Sequence, residues 1–181
     1  MSKHVVIWPD KVLNKPTKPV TDFGPALEEL LQDMRETVRE YDGIGLAANQ
    51  IGVPLRVALV GRRAGLFIEV INPTILEKSG TKNWNEGCLS VPDAWEQLDR
   101  AEKVRVRYQD RKGEWHEETA EGKLAHVFQH EIDHLDGTVY VMHISPLKRS
   151  LIRERMERLK KDIKAGRIKH PILFTTGNPD R

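Results

Sequence analysis

The sequence lacks the features of secreted and membrane proteins, since it has one cysteine and no long apolar run. A single cysteine in 181 residues cannot form an internal disulfide, which excludes the small disulfide-rich secreted class. The longest apolar stretches, such as residues 57–60, are far too short to span a bilayer. Residues 1–10 have no extended apolar core and no small-residue cleavage site, so they predict no signal peptide. We therefore expect a cytoplasmic protein with no membrane segment.

Repeats, low-complexity tracts and linkers are also absent from the sequence, which predicts one domain over residues 1–181. A chain of this length buries roughly two-thirds of the surface that it exposes when unfolded, so it needs no metal or disulfide to fold. A metal site in such a chain is therefore better interpreted as functional than as structural. Nothing in the sequence demands more than a monomer.

Positive charge is concentrated near the C-terminus. Residues 147–170 contain ten Lys or Arg and three acids, a net charge of +7, whereas the rest of the chain carries −5. A basic end on a mildly acidic body could contact RNA or another anionic surface. The simpler interpretation is the solvent-facing side of a helix, and charge alone favours it.

Apolar spacing predicts three helices. The first begins at a cap on Asp22 and ends near residue 40. The second covers residues 122–135, with Gly137 just past its end. The third runs from Ser145 to about residue 165 and forms a basic C-terminal helix within residues 146–168.

The middle of the sequence predicts strands, because β-branched or alternating runs are separated there by Gly, Pro and Asn. The predicted strands cover residues 56–60, 66–71 and 104–108, with less regular ones at 80–84 and 88–91 that flank a turn, and a short strand follows at 138–142. The fold class that follows is α+β: small antiparallel-rich mixed β-sheets packed around a central helix, with an N-terminal helix and a long C-terminal helix.

The central helix carries the strongest chemical signal, His130, Glu131 and His134 in an HExxH pattern. Residues four apart lie on one face of a helix, so both imidazoles can bind one metal ion. Glu131 then lies beside a water on the metal, where a carboxylate can take and return a proton. The pattern predicts a metallohydrolase.

The third ligand has several candidates. In one class of zinc peptidases a third His follows the second by six residues, but position 140 is Tyr. In another class a downstream Glu completes the site, and Glu154 or Glu157 could do so. Both fall in the basic helix, where pairing with a residue four positions away is the simpler role. Cys88 would give a mixed thiolate and imidazole set with an open position for water.

Residues 43–50 (GIGLAANQ), 86–90 (EGCLS) and 129–137 (QHEIDHLDG) form a set of three motifs. In this order and at these separations they resemble the three signature motifs of the peptide deformylases, in the bacterial form with a C-terminal helix. The resemblance extends over most of the chain, from the first helix to the long helix after Ser145.

The resemblance implies one divalent metal, natively Fe²⁺, on Cys88, His130 and His134, with a water as fourth ligand. Thiolate and imidazole ligands also suit Zn²⁺, and Ni²⁺ or Co²⁺ are expected to substitute. The implied reaction removes the formyl group from the formyl-methionine of nascent polypeptides and releases formate. Glu131 would be the general base and acid, while the Gln50 side chain and the Leu89 backbone N–H would donate to the oxyanion. The alternative remains a zinc peptidase with Glu154 or Glu157.

The substrate is expected to lie extended, with its backbone pairing near Ile44, Gly45, Gly87 and Leu89. By motif position, five residues should border the pocket for the methionine side chain: Trp84, Glu86, His126, Val127 and His130. Lys123 occupies a position near this pocket that is apolar in many family members, so either its stem packs and its ammonium reaches outward, or the pocket is more open. In bacterial relatives the C-terminal helix contacts the ribosome, and the basic segment here is compatible with such contact.

Overall fold

The structure of the protein is a computed structural model that describes residues 1–63 and 65–169. Its three α-helices are α1 (Pro25–Glu40), α2 (Gly122–Leu135) and α3 (Pro146–Lys164). The second has the predicted bounds, and Ser145 caps the third by accepting a hydrogen bond from the Lys148 N–H at 3.3 Å. The single-domain prediction over residues 1–181 includes residues 170–181, which lie outside the described residues.

The strands form two antiparallel units, a five-stranded sheet in the order β1-β2-β3-β6-β7 and the hairpin β4–β5. Their bounds are Gly45–Ala47 (β1), Val57–Arg63 (β2), Leu66–Ser79 (β3), Lys82–Cys88 (β4), Val91–Arg100 (β5), Lys103–Gln109 (β6) and Trp115–Glu121 (β7). All the strand pairs within these two units are antiparallel. This arrangement and its helices confirm the α+β prediction.

Several local predictions were wrong. The predicted strand over residues 88–91 is the tight turn of the β4–β5 hairpin, because Cys88 pairs directly with Val91. The predicted strand over residues 138–142 is a short 3-10 helix, Tyr140–His143, whose apolar side chains are buried without strand pairing. The first helix has Gly24 as its N-cap, since the Asp22 carboxylate accepts a hydrogen bond from the Gly24 N–H at 2.8 Å instead of capping the helix.

Helix α2 packs between the five-stranded sheet and the β4–β5 hairpin. One face of the helix packs on the sheet through Ala125, Phe128 and Ile132, which join a buried cluster with Val70 and Val106. Helix α3 packs on the hairpin side in a second cluster, together with the 3-10 helix. The motif histidines of α2 are thereby held close to the turn of the β4–β5 hairpin, where Cys88 ends β4.

Among the helices of the described ranges, none combines the length and apolar character needed to cross a membrane. Helix α3 buries Ile152 and Met156, while Leu147 and Leu151 on the same helix are exposed. Its remaining surface is basic, as the sequence predicts.

Candidate active site

Cys88, His130 and His134 converge at one point between α2 and the β4–β5 hairpin. The Cys88 Sγ atom lies 3.3 Å from His134 Nε2, which in turn lies 3.2 Å from His130 Nε2. Three soft or borderline donors this close together form a group that could hold a metal ion. A set of three protein ligands leaves a fourth tetrahedral position open, as catalytic metal sites require. These residues therefore fit the divalent metal that the sequence predicts.

The electrostatics of the two imidazoles also suit a cation. Burial, and then the neighbouring His130, lower the pKa of His134 well below its ordinary value, so that imidazole stays neutral and can act as a ligand. Burial also lowers the pKa of His130, but hydrogen bonds to Cys88 and Glu86 outweigh it and hold the pKa well above its ordinary value. This corner of the site thus favours positive charge.

The alternative third ligands lie elsewhere. Glu154 and Glu157 are on α3 and exposed to solvent, and Glu154 pairs with Arg158 four residues along the helix at 3.7 Å. Neither belongs to the group formed by Cys88, His130 and His134. The simpler role for Glu154, a surface pair on a helix, is the one that the structure describes.

Glu86 lies behind the wall of the site and orients His130. Its side chain is 1% exposed, and its Oε2 atom lies 3.1 Å from His130 Nδ1. Glu86 also contacts His126, and Arg100 donates to both of its oxygens, at 3.0 and 2.8 Å. Burial raises the pKa of Glu86, but the hydrogen bonds from His126, His130 and Arg100 hold it far below its ordinary value. Glu86 therefore supports a ligand from behind and does not line the cavity, where the sequence placed it.

Arg100 connects this support to the far side of α2. Its guanidinium is 6% exposed and also donates to Asp133 at 2.6 Å, which His143 contacts in turn at 3.0 Å. No pattern in the sequence indicates this network, because Arg100 is at the end of β5 and outside the three motifs. A ligand-supporting ion pair of this kind fixes ring orientation and tautomer.

Replacing Arg100 with alanine should destabilise the fold, because the buried Glu86 carboxylate and the half-buried Asp133 would both lose their guanidinium partner. We expect a loss of about 3–5 kcal/mol in the free energy of unfolding, measured by urea denaturation. Arg105→Ala is the matched control, since Arg105 contacts Glu77 and Glu117 at the surface, and its loss should be much smaller. Equal losses in the two variants would contradict the supporting role of Arg100.

Glu131 is buried against Gly45, at the start of β1. It is 3% exposed, and its Oε2 atom has no hydrogen-bond partner among the described residues. A side chain at Gly45 would collide with the Glu131 carboxylate, so only glycine leaves room for it there. Burial raises the pKa of Glu131 to about 7, while His130 acts in the opposite direction. The carboxylate can therefore hold or release a proton near neutral pH.

Gly45→Ala should leave the fold intact and displace the Glu131 carboxylate, because the new methyl group would occupy its place. A misplacement of about 1 Å in a catalytic group costs on the order of a hundredfold in rate. We expect kcat to fall by about that factor while bound metal is unchanged, measured by steady-state kinetics and elemental analysis on the same sample. Full activity in this variant would show that the position of Glu131 does not matter.

Gln50 presents its amide nitrogen to the site. Its Oε1 atom accepts a hydrogen bond from the Ala47 N–H at 2.9 Å, which fixes the orientation of the side chain. Its Nε2 atom then donates to Ser90 Oγ at 3.1 Å and to Cys88 Sγ at 3.6 Å. Gln50 thus places an uncharged donor beside the ligand group, as an oxyanion site requires.

A cavity opens over this group of residues. It is lined by Gly43, Ile44, Gly45, Gln50, Trp84, Asn85, Gly87, Cys88, Leu89, Trp95, Lys123, His126, Val127, His130 and Glu131. The predicted substrate residues are therefore gathered on its walls, except Glu86. Asn85 and Trp95 were not predicted, and Trp95 packs so closely over Gly87 that a side chain there would collide with the indole ring. On another wall, Trp84 stacks on His126 with ring centroids 4.9 Å apart.

Comparisons with known proteins agree with these features. Residues 2–150 match the family model described as polypeptide deformylase. A peptide deformylase of Acidobacterium capsulatum is 44% identical over 165 residues, which cover 89% of this chain and 97% of that protein. The crystal structure of a peptide deformylase from Legionella pneumophila has a TM-score of 0.85 at 40% identity, over 93% of this chain and 100% of that one. The Ehrlichia chaffeensis enzyme in complex with actinonin has a TM-score of 0.85 at 34% identity, over 89% and 99% of the two chains.

Proposed function

The chain belongs to the polypeptide deformylase family, and on this premise we propose that it hydrolyses the N-terminal formyl amide of formyl-methionyl nascent polypeptides at Cys88, His130 and His134. The protein is a metal-dependent hydrolase. One observation carries the proposal: the three ligand atoms meet beside a cavity that is lined by Cys88 and His130 and also by a buried carboxylate, Glu131, and an oriented amide donor, Gln50. Together these groups meet the needs of amide hydrolysis, namely an activated water, a stabilised oxyanion and a protonated leaving amine.

The chemistry divides among the residues of the cavity. A divalent metal held by Cys88, His130 and His134 supplies Lewis acidity, which lowers the pKa of water. Glu131 takes a proton from the attacking water as the oxygen–carbon bond forms at the formyl carbon. It then delivers the proton to the amine nitrogen as the carbon–nitrogen bond breaks, so that formate and a free α-amine leave.

Two donors stabilise the charge that develops on the formyl oxygen. The Gln50 amide is held toward the site by the Ala47 N–H, so no reorientation is needed during the reaction. The backbone N–H of Leu89 is the second proposed donor, since Leu89 lines the cavity directly after Cys88. Both donors are neutral, so they add no positive charge beside a bound metal ion.

The substrate backbone is proposed to bind by strand addition. Strand β1 is at one edge of the five-stranded sheet, and Ile44 and Gly45 at its start line the cavity. Gly87 and Leu89 line the cavity from the β4 side. An extended peptide between these two segments can pair with both backbones while its methionine side chain enters the pocket bordered by Trp84, His126, Val127 and His130.

The native metal is proposed to be Fe²⁺, with Zn²⁺, Ni²⁺ or Co²⁺ as substitutes, because a thiolate and two imidazoles suit all of these ions. The basic face of α3 is proposed to contact the ribosome by phosphate contacts, where nascent chains become available in the cytoplasm. We propose that the protein acts there as a monomer.

The function is tested with anaerobically purified, iron-loaded protein and three peptides, formyl-Met-Ala-Ser and its acetylated and unmodified forms. The proposal predicts formate and intact Met-Ala-Ser from the formylated peptide, and no product from the other two, by formate assay and mass spectrometry. Cleavage of an internal peptide bond without formate would favour a zinc peptidase instead.

A further inference from the structure

Lys123 brings an unpaired positive charge to the cavity. It is in the first turn of α2 and exposed to solvent, and it lines the same cavity as Cys88 and His130. Within residues 1–63 and 65–169, the Lys123 ammonium makes no hydrogen bond and no ion pair. Its neighbour Glu121 is instead paired with Lys103 at 2.8 Å. A charge without a partner on the wall of a cavity is available to a ligand that enters the cavity.

The walls around Lys123 do not neutralise it. Among the described residues that line the cavity, Glu131 is the one acid, and it is placed at the reacting centre. The lining residues Trp84, Asn85 and Trp95 carry no charge. The outer part of the cavity is therefore electropositive, and it is complementary to an anionic group on the bound molecule.

The spacing on α2 places Lys123 at a defined distance from the reacting centre. Lys123, Val127 and His130 recur three or four residues apart, so they lie on one face of the helix. With a rise of about 1.5 Å per residue, Lys123 is roughly 10 Å along the helix axis from His130. Val127 lies between them, at the level proposed for the methionine side chain.

An extended peptide whose formyl end lies at the metal ligands brings its third residue close to the Lys123 ammonium. Alternate side chains of a strand share a face and repeat at about 7 Å, so the side chains of the first and third residues point the same way. When the methionine side chain occupies the pocket beside Val127, the third side chain is the one directed toward the next turn of α2. Resting on the function proposed above, we propose that Lys123 determines specificity by favouring Asp or Glu at the third position of the substrate.

The test compares kcat/KM of the iron-loaded enzyme for amidated peptides, which carry no terminal carboxylate. Formyl-Met-Ala-Asp-Ala-amide should exceed formyl-Met-Ala-Asn-Ala-amide by about three- to fivefold, the upper part of the range for an exposed ion pair, mainly through KM. Added salt should reduce this ratio. In Lys123→Met, which keeps the length of the apolar stem, the ratio should fall to about one.

Two further variants separate charge from other effects. Lys123→Arg should retain the preference, and so should Lys112→Met, which removes an exposed lysine at the β6–β7 turn. Because each ratio is measured within one protein, it does not depend on how much of a variant is active. The wild-type salt dependence tests the proposal even where Lys123→Met fails to fold.

Two results would overturn the role of Lys123: a wild-type ratio of one, or a preference that persists in Lys123→Met. A preference confined to the second position, measured with formyl-Met-Asp-Ala-Ala-amide against its Asn form, would also overturn it. Absence of formate from every peptide would instead refute the proposed function, so the two failures are distinguishable.

Discussion

Replacing Glu131 with glutamine is expected to reduce formate release by a factor of about 10² to 10⁴, the range for loss of a general acid–base group, while the protein keeps its metal. Glutamine preserves the volume that fills the space against Gly45, so the fold and the ligand positions should not change. It cannot take a proton from water or pass one to the leaving amine. Formate release and metal content measured on the same preparation separate these two effects.

Glu154→Gln is the matched control for that experiment. The same substitution is made on the same residue type, but Glu154 is exposed on α3 and paired with Arg158. We expect wild-type rates and metal content from it. Full activity in Glu131→Gln would contradict the proton-transfer role, and loss of metal from that variant would make Glu131 a structural rather than a catalytic residue.

Replacing Cys88 with alanine is expected to empty the metal site and abolish activity. The ligand group would be reduced to two imidazoles, and even changes behind metal ligands cost about ten- to a hundredfold in affinity. We expect the loss from a direct ligand to be larger than that. Elemental analysis after dialysis measures the bound metal, and formate release measures its consequence.

The two alternative third ligands, Glu154 and Glu157, provide the control for this prediction. Glu154→Ala and Glu157→Ala should keep wild-type metal content, because both residues are on the exposed face of α3. If Cys88→Ala kept one metal per chain and Glu154→Ala lost it, the peptidase interpretation would replace the present one.

The helices were predictable because local spacing determines them. Helix α2 begins and ends at the predicted residues, and Gly137 follows it with a φ of +79°, which glycine adopts without strain. The family was also predictable, because residues 86–90 and 129–137 are short local motifs. The family model and the relatives confirm that prediction.

The strands that were missed or wrongly predicted depend on contacts between residues that are distant along the chain. Strand β7 buries only Ala120, because it is an edge strand whose charged side chains face solvent, so its sequence carries no apolar alternation. Residues 138–142 have strand-like composition, but Tyr140 donates a hydrogen bond to the Ala94 carbonyl at 2.7 Å and packs into the core beside α3. Tertiary packing outweighed local propensity there.

The residues that support the metal ligands could not be predicted from the sequence for the same reason. Arg100 reaches Glu86 across the β4–β5 hairpin, and it reaches Asp133 because this hairpin folds against α2. No spacing along the chain reveals these contacts. The position of Glu86 follows from them, since a carboxylate that accepts from a buried guanidinium points away from the cavity. The sequence motifs thus identified the reacting groups. The residues that support those groups, such as Arg100, could be identified only from the three-dimensional structure.

The catalytic metal on Cys88, His130 and His134 is tested most directly by titrating metal-depleted protein with ferrous iron under anaerobic conditions and measuring formate release from formyl-Met-Ala-Ser. We predict a rate that rises linearly with added iron and stops rising at one equivalent per chain, with no rise in Cys88→Ala. Full formate release before iron is added, or the same titration curve in Cys88→Ala, would contradict the assignment.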